Sequence, residues 1–258
     1  MGVVNVTPDS FSDGGRFFEA SAAISHARRL VEEGADILDL GAESSRPGAQ
    51  PVSAEEELRR LLPVLRELKG VPVPISVDTT KPEVMRATID AGAAMINDIG
   101  ALRSPGALET VAASDAGVCL MHMQGEPRTM QYEPRYGDVV AEVAAFLAER
   151  VAAAESAGIA RERIAVDPGF GFGKTVAHNF ELLRHLDRFT ALGVPVVAGW
   201  SHKSTLGAIT GRGAEDRLAA SLAAALLAVE RGARIVRVHD VAATRDALHV
   251  LAALEGRT

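Results

Sequence analysis

The chain has 258 residues, of which 47% are hydrophobic and 24% charged, and a chain of this size and composition can bury a core without a disulfide or a structural metal. It carries 34 acidic residues against 27 Lys and Arg, a net charge of -7, and no basic cluster that could follow a nucleic-acid backbone. The single cysteine, Cys119, excludes an internal disulfide, and the sequence has neither a membrane-spanning apolar stretch nor a signal-peptide pattern. We therefore expect a cytoplasmic protein that binds neither nucleic acid nor membranes.

One pattern recurs along the chain: a helical segment rich in Ala, Leu and charge, then a glycine, then a short apolar run ending in polar residues. A glycine suits the C-terminal cap of a helix, and a short continuous apolar run is typical of a strand covered on both faces. In chain order, the predicted strands are 2–6, 36–40, 73–77, 94–98, 118–122, 164–167, 195–199 and 234–239. The predicted helices include 20–33, 54–69, 82–91, 139–157, 215–231 and 242–255.

Eight alternations of strand and helix predict an α/β fold, a single (β/α)8 TIM barrel forming one domain over residues 1–258. An open doubly wound sheet is the alternative, but no Gly-x-Gly-x-x-Gly follows the first strand, and eight units are more than that fold usually carries. Loops rich in Gly, Pro and Ser follow several strands, at 7–16, 42–53, 125–137 and 168–175. In a barrel these loops share the C-terminal face, where active sites lie.

Polar residues end nearly every predicted strand: Asn5, Asp39, Asp78, Asn97, Asp98, His122, Asp167, Lys203, Arg237 and His239. Each alone is more often a helix cap or a satisfied buried group, but a barrel brings all of them to one rim. The acceptors and amide of Asp78, Asn97 and Asp167 suit a flat, donor-rich heterocycle such as a 2-amino-4-oxo pteridine or a purine. The donors Arg46, Arg237, His239 and Asn5 suit a phosphate or a carboxylate.

Two motifs that suggest other chemistry have the wrong spacing. Residues 169–175, GFGFGKT, resemble a phosphate-binding P-loop, but its first required glycine falls on Pro168. No His-x-His follows the first strand, and the seven histidines lack close ligand spacing, which argues against a metallohydrolase barrel.

Eight segments, in order, resemble those of the dihydropteroate synthase family. They are MGVVNVTPDSFSDGG (1–15), ESSRPG (43–48), SVDTTKP (76–82), NDI (97–99), MHMQG (121–125), DPGFGFGK (167–174), SHKS (201–204) and RVHDV (237–241). The resemblance implies a transferase of folate biosynthesis that uses Mg2+ and is usually a homodimer. It would condense 6-hydroxymethyl-7,8-dihydropterin pyrophosphate with p-aminobenzoate, giving 7,8-dihydropteroate and pyrophosphate by an SN1-like path.

The resemblance also implies a role for each matching residue. The pterin would be held by Asp78, Asn97, Met121, Asp167, Phe172 and Lys203. The diphosphate would be held by Asn5, Arg46, Arg237 and His239, with Asn5 also reaching the metal. The p-aminobenzoate site would be bordered by Phe11, Ser45, Pro47, Lys203 and Ser204, and loops 7–16 and 42–53 would close over it. The catalytic set would be Asp167, Lys203, Arg237, His239 and Asp13.

The chain departs from the family pattern in three places. Ser45 keeps the hydroxyl of the usual Thr, whereas His202 replaces the usual Arg and removes a permanent charge. The chain begins at the first strand, which we expect to bear on stability rather than on chemistry. Two other functions stay open: a pterin-dependent methyltransferase working with a corrinoid partner, and a catalytically silent pterin-binding protein.

Overall fold

The structure of the protein, a computed structural model, describes residues 1–6, 16–44, 48 and 50–256. Its strands are β1 (Gly2–Asn5), β2 (Leu38–Gly41), β3 (Ile75–Asp78), β4 (Met95–Asp98), β5 (Gly117–Met121), β6 (Ile164–Asp167), β7 (Val196–Ala198) and β8 (Ala233–Val236). The helices within these residues are α1 (Arg16–Glu32), α2 (Ala54–Glu67), α3 (Pro82–Asp90), α4 (Ala107–Ala112), α5 (Val139–Ser156), α6 (Val176–Arg184), α7 (Asp187–Thr190), α8 (Ser204–Thr210), α9 (Leu218–Glu230) and α10 (Val241–Leu254).

The eight strands form one parallel sheet in sequence order, and the sheet closes on itself. Closure joins β1 to the end of β8: Gly2 bridges Val238, and Val3 N donates to Val238 O over 2.9 Å. The predicted (β/α)8 barrel is therefore confirmed. No described helix combines the length and apolar character needed to cross a membrane. The assignment of residues 1–258 to one domain stays a prediction.

The predicted strands differ from those in the structure mainly at their ends. β2 and β3 begin two residues later than predicted and each ends one residue later, whereas β8 ends at Val236 instead of residue 239. The ladder from β7 to β8 stops at the pair Ala198 and Val236, so Arg237 and His239 lie in the loop that follows. Helix α9 begins at Leu218, three residues after the predicted start, because a 3-10 turn occupies 214–216.

The barrel interior is divided into an apolar and a polar part. Side chains alternate between the two faces of a strand, so every second residue points inward. Cys119, Ala165 and Val197 form a small apolar cluster with Met95 and Ile235, separate from the large core between sheet and helices. Burial raises the pKa of the Cys119 thiol well above its usual value, so this cysteine is a packing residue inside the barrel.

Gly169, in the loop after β6, has a positive φ of 72° and lies directly against the neighbouring strand end. A Cβ at this position would overlap the carbonyl oxygen of His122. Gly70 offers a matched comparison, because its φ is 98° but nothing lies within 4 Å of a Cβ built there.

We predict that Gly169→Ala lowers the free energy of unfolding by about 3 kcal/mol or more, from left-handed strain plus overpacking. Gly70→Ala meets only the backbone strain and loses about 1 kcal/mol. Urea denaturation of both variants measures the difference. Equal losses would contradict the close packing of this loop against His122.

Candidate active site

Strand register places several of the predicted site residues in one layer at the C-terminal end of the barrel. Asn5 pairs with Gly41, Gly41 with Asp78, and Asp78 with Asn97. Gly41 has no side chain, and a Cβ there would lie 3.6 Å from the Cβ of Asp78, so Gly41 lies in contact with the Asp78 side chain. On the other side of the barrel, Met121 pairs with Asp167.

Arg237 is a cation at the rim that contacts two acidic side chains. Its Nε donates to Asp39 Oδ2 over 2.6 Å, and one terminal nitrogen donates to Asp78 Oδ2 over 3.1 Å. Burial alone would lower the pKa of Arg237, but the attraction of Asp39 and Asp78 outweighs burial and raises it. The guanidinium is therefore a cation held between two carboxylates.

Asp39 is a site residue whose function sequence reasoning missed. It is fully buried, and its Oδ2 accepts from Asn97 Nδ2 over 3.1 Å as well as from Arg237. Its other oxygen, Oδ1, is buried with no hydrogen-bond partner among the described residues. The available signal was a charged residue inside the otherwise apolar run Leu38-Asp-Leu40.

Asp167 lies at the end of β6, and its Oδ1 accepts from the backbone N–H of Gly169 over 2.7 Å. Burial raises the pKa of Asp167, and this N–H and the nearby cations oppose the rise. A Cβ built on Gly199 would lie 4.0 Å both from Asp167 Oδ2 and from Arg237 Cβ, so these two groups face each other across a glycine.

Lys203 and Phe172 form a cation–π pair, with Nζ 4.2 Å from the ring centroid. Burial and Arg237 lower the pKa of Lys203 to about 8, against the attraction of Asp167 and Asp78. Burial likewise raises the pKa of Asp78, while Arg237 opposes the rise. Within the described residues, the rim thus combines the buried carboxylates of Asp39 and Asp167 and the half-buried carboxylate of Asp78 with the cations Arg237 and Lys203.

His239 is neutral at pH 7 and contributes hydrogen bonds to the rim instead of charge. Its Nδ1 lies 2.9 Å from Ser201 Oγ, which also accepts from the His239 backbone N–H over 3.1 Å. Burial and the cations Arg237 and His202 lower the pKa of His239 to about 4.

The partners of His202, in contrast, favour its protonated form. Its Nε2 lies 2.7 Å from Asp240 Oδ2, and its Nδ1 lies 2.8 Å from the carbonyl oxygen of Ala214, so both ring nitrogens face acceptors. Burial would lower the pKa of His202, but these two acceptors raise it. The ring centroids of His202 and His239 are 5.4 Å apart.

Lys174 is a second buried lysine that sequence reasoning left without a role. Its Nζ lies 3.0 Å from Phe172 O and 3.0 Å from His122 Nδ1. Burial lowers the pKa of Lys174 to about 7, and burial together with Lys174 lowers that of His122 to about 3. Lys174 therefore holds the glycine-rich loop 168–175 against the end of β5.

The remaining predicted residues are only partly described. Phe11, Asp13, Ser45, Arg46 and Pro47 lie outside the described residues. Ser204 is exposed at the first turn of α8 and lines a cavity of about 290 Å³ together with Gly171 and Lys174. Asp78, Asn97, Asp167 and Arg237 are not among the residues lining this cavity, so it lies beside the polar rim.

The fold and this rim define a class, that of barrel enzymes that bind a pterin, and the family model described as "Pterin binding enzyme" matches residues 1–239. The Escherichia coli K12 dihydropteroate synthase is 50% identical over 98% of this chain and 90% of its own length. The Xanthomonas albilineans dihydropteroate synthase was solved with 4-aminobenzoic acid, at TM-score 0.93 and 58% identity over 98% of this chain and 92% of that one. It was also solved with 7,8-dihydropteroate, at TM-score 0.89 and 55% identity over the same shares. The chain belongs to the dihydropteroate synthase family.

The His202–Asp240 pair predicts a pH-dependent contribution to stability. Because folding raises the pKa of His202, the pair stabilises the protein fully below the unfolded value of about 6.5 and loses this effect as the pH rises through the folded value. We expect the stability advantage of the wild type over His202→Gln to fall by no more than about 1 kcal/mol from about pH 6 to about pH 9, since solvent screens this partly exposed pair.

Thermal or urea unfolding across this pH range measures the advantage. Asp240→Asn removes the partner carboxylate and serves as the matched variant, so it is expected to flatten the same pH dependence. An advantage that grows with pH would contradict a pKa of His202 that is raised by folding.

Proposed function

We propose that the polar rim carries out the dihydropteroate synthase reaction by an ionising path. The bond between the pterin methylene and the diphosphate oxygen breaks, its electron pair leaves with the diphosphate, and the arylamine nitrogen of p-aminobenzoate then bonds to the methylene carbon. The observation that carries the proposal is the contact of Arg237 with Asp39 and Asp78, which joins the acceptor groups and the main cation at one point.

Separation of charge is what the site must stabilise along this path. Arg237 would stabilise the growing negative charge on the leaving diphosphate, with His239 as a neutral hydrogen-bond donor. Asp167, buried and fixed by the Gly169 N–H, would favour the positive charge that spreads over the pterin ring. Asp78 and Asn97 would accept from and orient the ring.

No strong general base is required for the second step. The arylamine of p-aminobenzoate is neutral at pH 7 and already nucleophilic, and its proton can pass to solvent after the bond forms. Lys203 and Ser204 would border its site, with Phe11, Ser45 and Pro47 in loops 7–16 and 42–53, which would close over it and exclude water. In the same two loops, Asp13 would favour the positive charge on the pterin, and Arg46 would stabilise the negative charge on the leaving diphosphate.

The residues present fit a Mg2+ ion that arrives with the diphosphate. Within the described residues, no group of three or more His, Cys, Asp or Glu side chains could hold a metal. Asn5 offers one amide oxygen next to Gly41 in the ladder, and bound Mg2+ usually keeps several waters and takes much of its remaining coordination from substrate phosphates. When bound, the ion would neutralise part of the diphosphate charge.

A homodimer and a cytoplasmic location also belong to the proposal. The last two helices, α9 and α10, pack against each other and carry exposed apolar side chains, including Leu227, Val250 and Leu254. Such side chains on adjacent helices suit a second copy of the chain. The location rests on the composition and the single cysteine.

Release of pyrophosphate tests the proposed function directly. With pterin pyrophosphate and p-aminobenzoate both present, we expect stoichiometric release of pyrophosphate and formation of 7,8-dihydropteroate. Each substrate alone is the control and is expected to give neither product. No release at all would favour the methyltransferase or the silent pterin-binding protein, and release that does not depend on p-aminobenzoate would contradict the proposed transfer.

The two acidic pterin ligands give a second prediction. Asp78→Ala and Asp167→Ala are each expected to lower kcat/KM, because each leaves a donor-rich ring without a charged acceptor. The loss corresponds to at least about 2 to 3 kcal/mol of transition-state stabilisation. Steady-state kinetics measure the loss. Asp36→Ala serves as the control, since Asp36 is exposed before β2 and pairs with Arg245. Wild-type kinetics in either rim variant would contradict its role.

A further inference from the structure

We propose that Asp39 is a positioning residue that anchors Arg237 while Arg237 exchanges Asp78 for the diphosphate of the substrate. This inference rests on the function proposed above and concerns a residue to which neither the family resemblance nor the strand-end pattern gave a role. Its basis is the way one buried carboxylate oxygen holds two groups from opposite halves of the rim.

The contacts of Asp39 connect the two halves. Asp39 Oδ2 accepts from Arg237 Nε, which belongs to the half that would hold the diphosphate, and from Asn97 Nδ2, which belongs to the half that would hold the pterin. The Arg237 contact is short at 2.6 Å, and the Asn97 contact is 3.1 Å. A movement of the Asp39 side chain would therefore shift both halves together.

The two carboxylates that hold Arg237 differ in depth. The Asp39 side chain is 0% exposed, whereas the side chains of Asp78 and Arg237 are 17% and 24% exposed. Arg237 is thus fixed at its inner end by Asp39 and reaches outward to Asp78 with a terminal nitrogen. The outer contact is the one that a ligand at the rim could replace.

Substrate binding favours such a replacement. In the structure, Arg237 donates to Asp78 Oδ2, one of the two carboxylate oxygens that pterin N–H groups would use as acceptors. When the pterin binds to Asp78, the outer nitrogens of Arg237 lose this hydrogen-bond partner. The diphosphate is attached to the same pterin and therefore arrives at the rim with it. Asp39 then keeps the guanidinium at the rim, so that the freed nitrogens turn to the diphosphate instead of leaving the site.

Stability alone does not explain this carboxylate. Asp39 Oδ1 is buried and has no hydrogen-bond partner among the described residues, and an unsatisfied buried oxygen on a charged group is costly. Buried ion pairs are in any case weak sources of stability, because desolvation offsets much of their attraction. A positioning role accounts for why a charged residue is found here.

The test compares Asp39→Asn with the wild type, because Asn keeps the size and one acceptor oxygen but removes the charge. Without that charge, Asp78 is the one carboxylate left to Arg237 in this contact, so Arg237 competes more strongly with the pterin for Asp78. We expect KM for pterin pyrophosphate to rise about tenfold or more, with KM for p-aminobenzoate changed by less than about twofold. Binding of inorganic pyrophosphate, measured by calorimetry, is expected to weaken as well.

Ser76→Ala is the matched control. Ser76 pairs with Asp39 in the ladder, is equally buried, and its Oγ has no partner among the described residues, so its loss is expected to leave both KM values unchanged. If Asp39 acted only as a negative charge near an anion, Asp39→Asn would bind pyrophosphate more tightly. That result, or equal effects on both KM values, or wild-type kinetics, would overturn the proposal.

A double variant covers the case in which Asp39→Asn alone does not fold. Asp39→Asn combined with Arg237→Gln leaves no unpaired buried charge at this contact. Because Asp39 acts through Arg237, we expect the double variant to match Arg237→Gln alone in pyrophosphate affinity and kinetics. A further loss would overturn the proposal. The calorimetric result stands even if the wild type releases no pyrophosphate, so failure of this inference is distinguishable from failure of the proposed function.

Discussion

The rest of the site depends on a buried cation shared by two carboxylates. Arg237 lies inside the mouth of a closed barrel, where an unpaired guanidinium would be strongly disfavoured, and Asp39 and Asp78 supply the opposite charge at 2.6 and 3.1 Å. The same contact keeps the two carboxylates from repelling each other. A molecule of net charge -7 can therefore maintain an anion-binding group without a basic surface, because the positive charge is enclosed by the residues that hold it.

The barrel determines where these charges meet. Arg237 is 198 residues from Asp39 and 159 from Asp78 in sequence, and only the closure of β8 onto β1 brings them into contact. The apolar cluster of Cys119, Ala165 and Val197 fills part of the interior. The polar side chains lie at the C-terminal end of the barrel, where they are desolvated together and hold one another in place.

The sequence alone predicted the barrel and most of the rim, since both depend on local signals. Short apolar runs ending in Asp, Asn or His mark strands and their C-terminal ends, and a parallel barrel requires those ends to share a face. Sequence reasoning did not identify the role of Asp39, because its partners are fixed by strand register and closure. It also missed Lys174, whose motif is close to a P-loop in composition but acts on its own loop and on His122.

Two adjacent histidines show most clearly why residue type alone does not determine charge. His202 and His239 have ring centroids 5.4 Å apart, yet His202 faces a carboxylate and a carbonyl, whereas His239 faces a hydroxyl and lies close to Arg237. The first pKa is raised and the second is lowered to about 4. Two adjacent imidazolium ions would repel each other, so charging His202 favours a neutral His239. Where the family pattern has Arg at position 202, Asp240 favours the charged form of the histidine, and His239 is left as an uncharged donor beside the Arg237 cation.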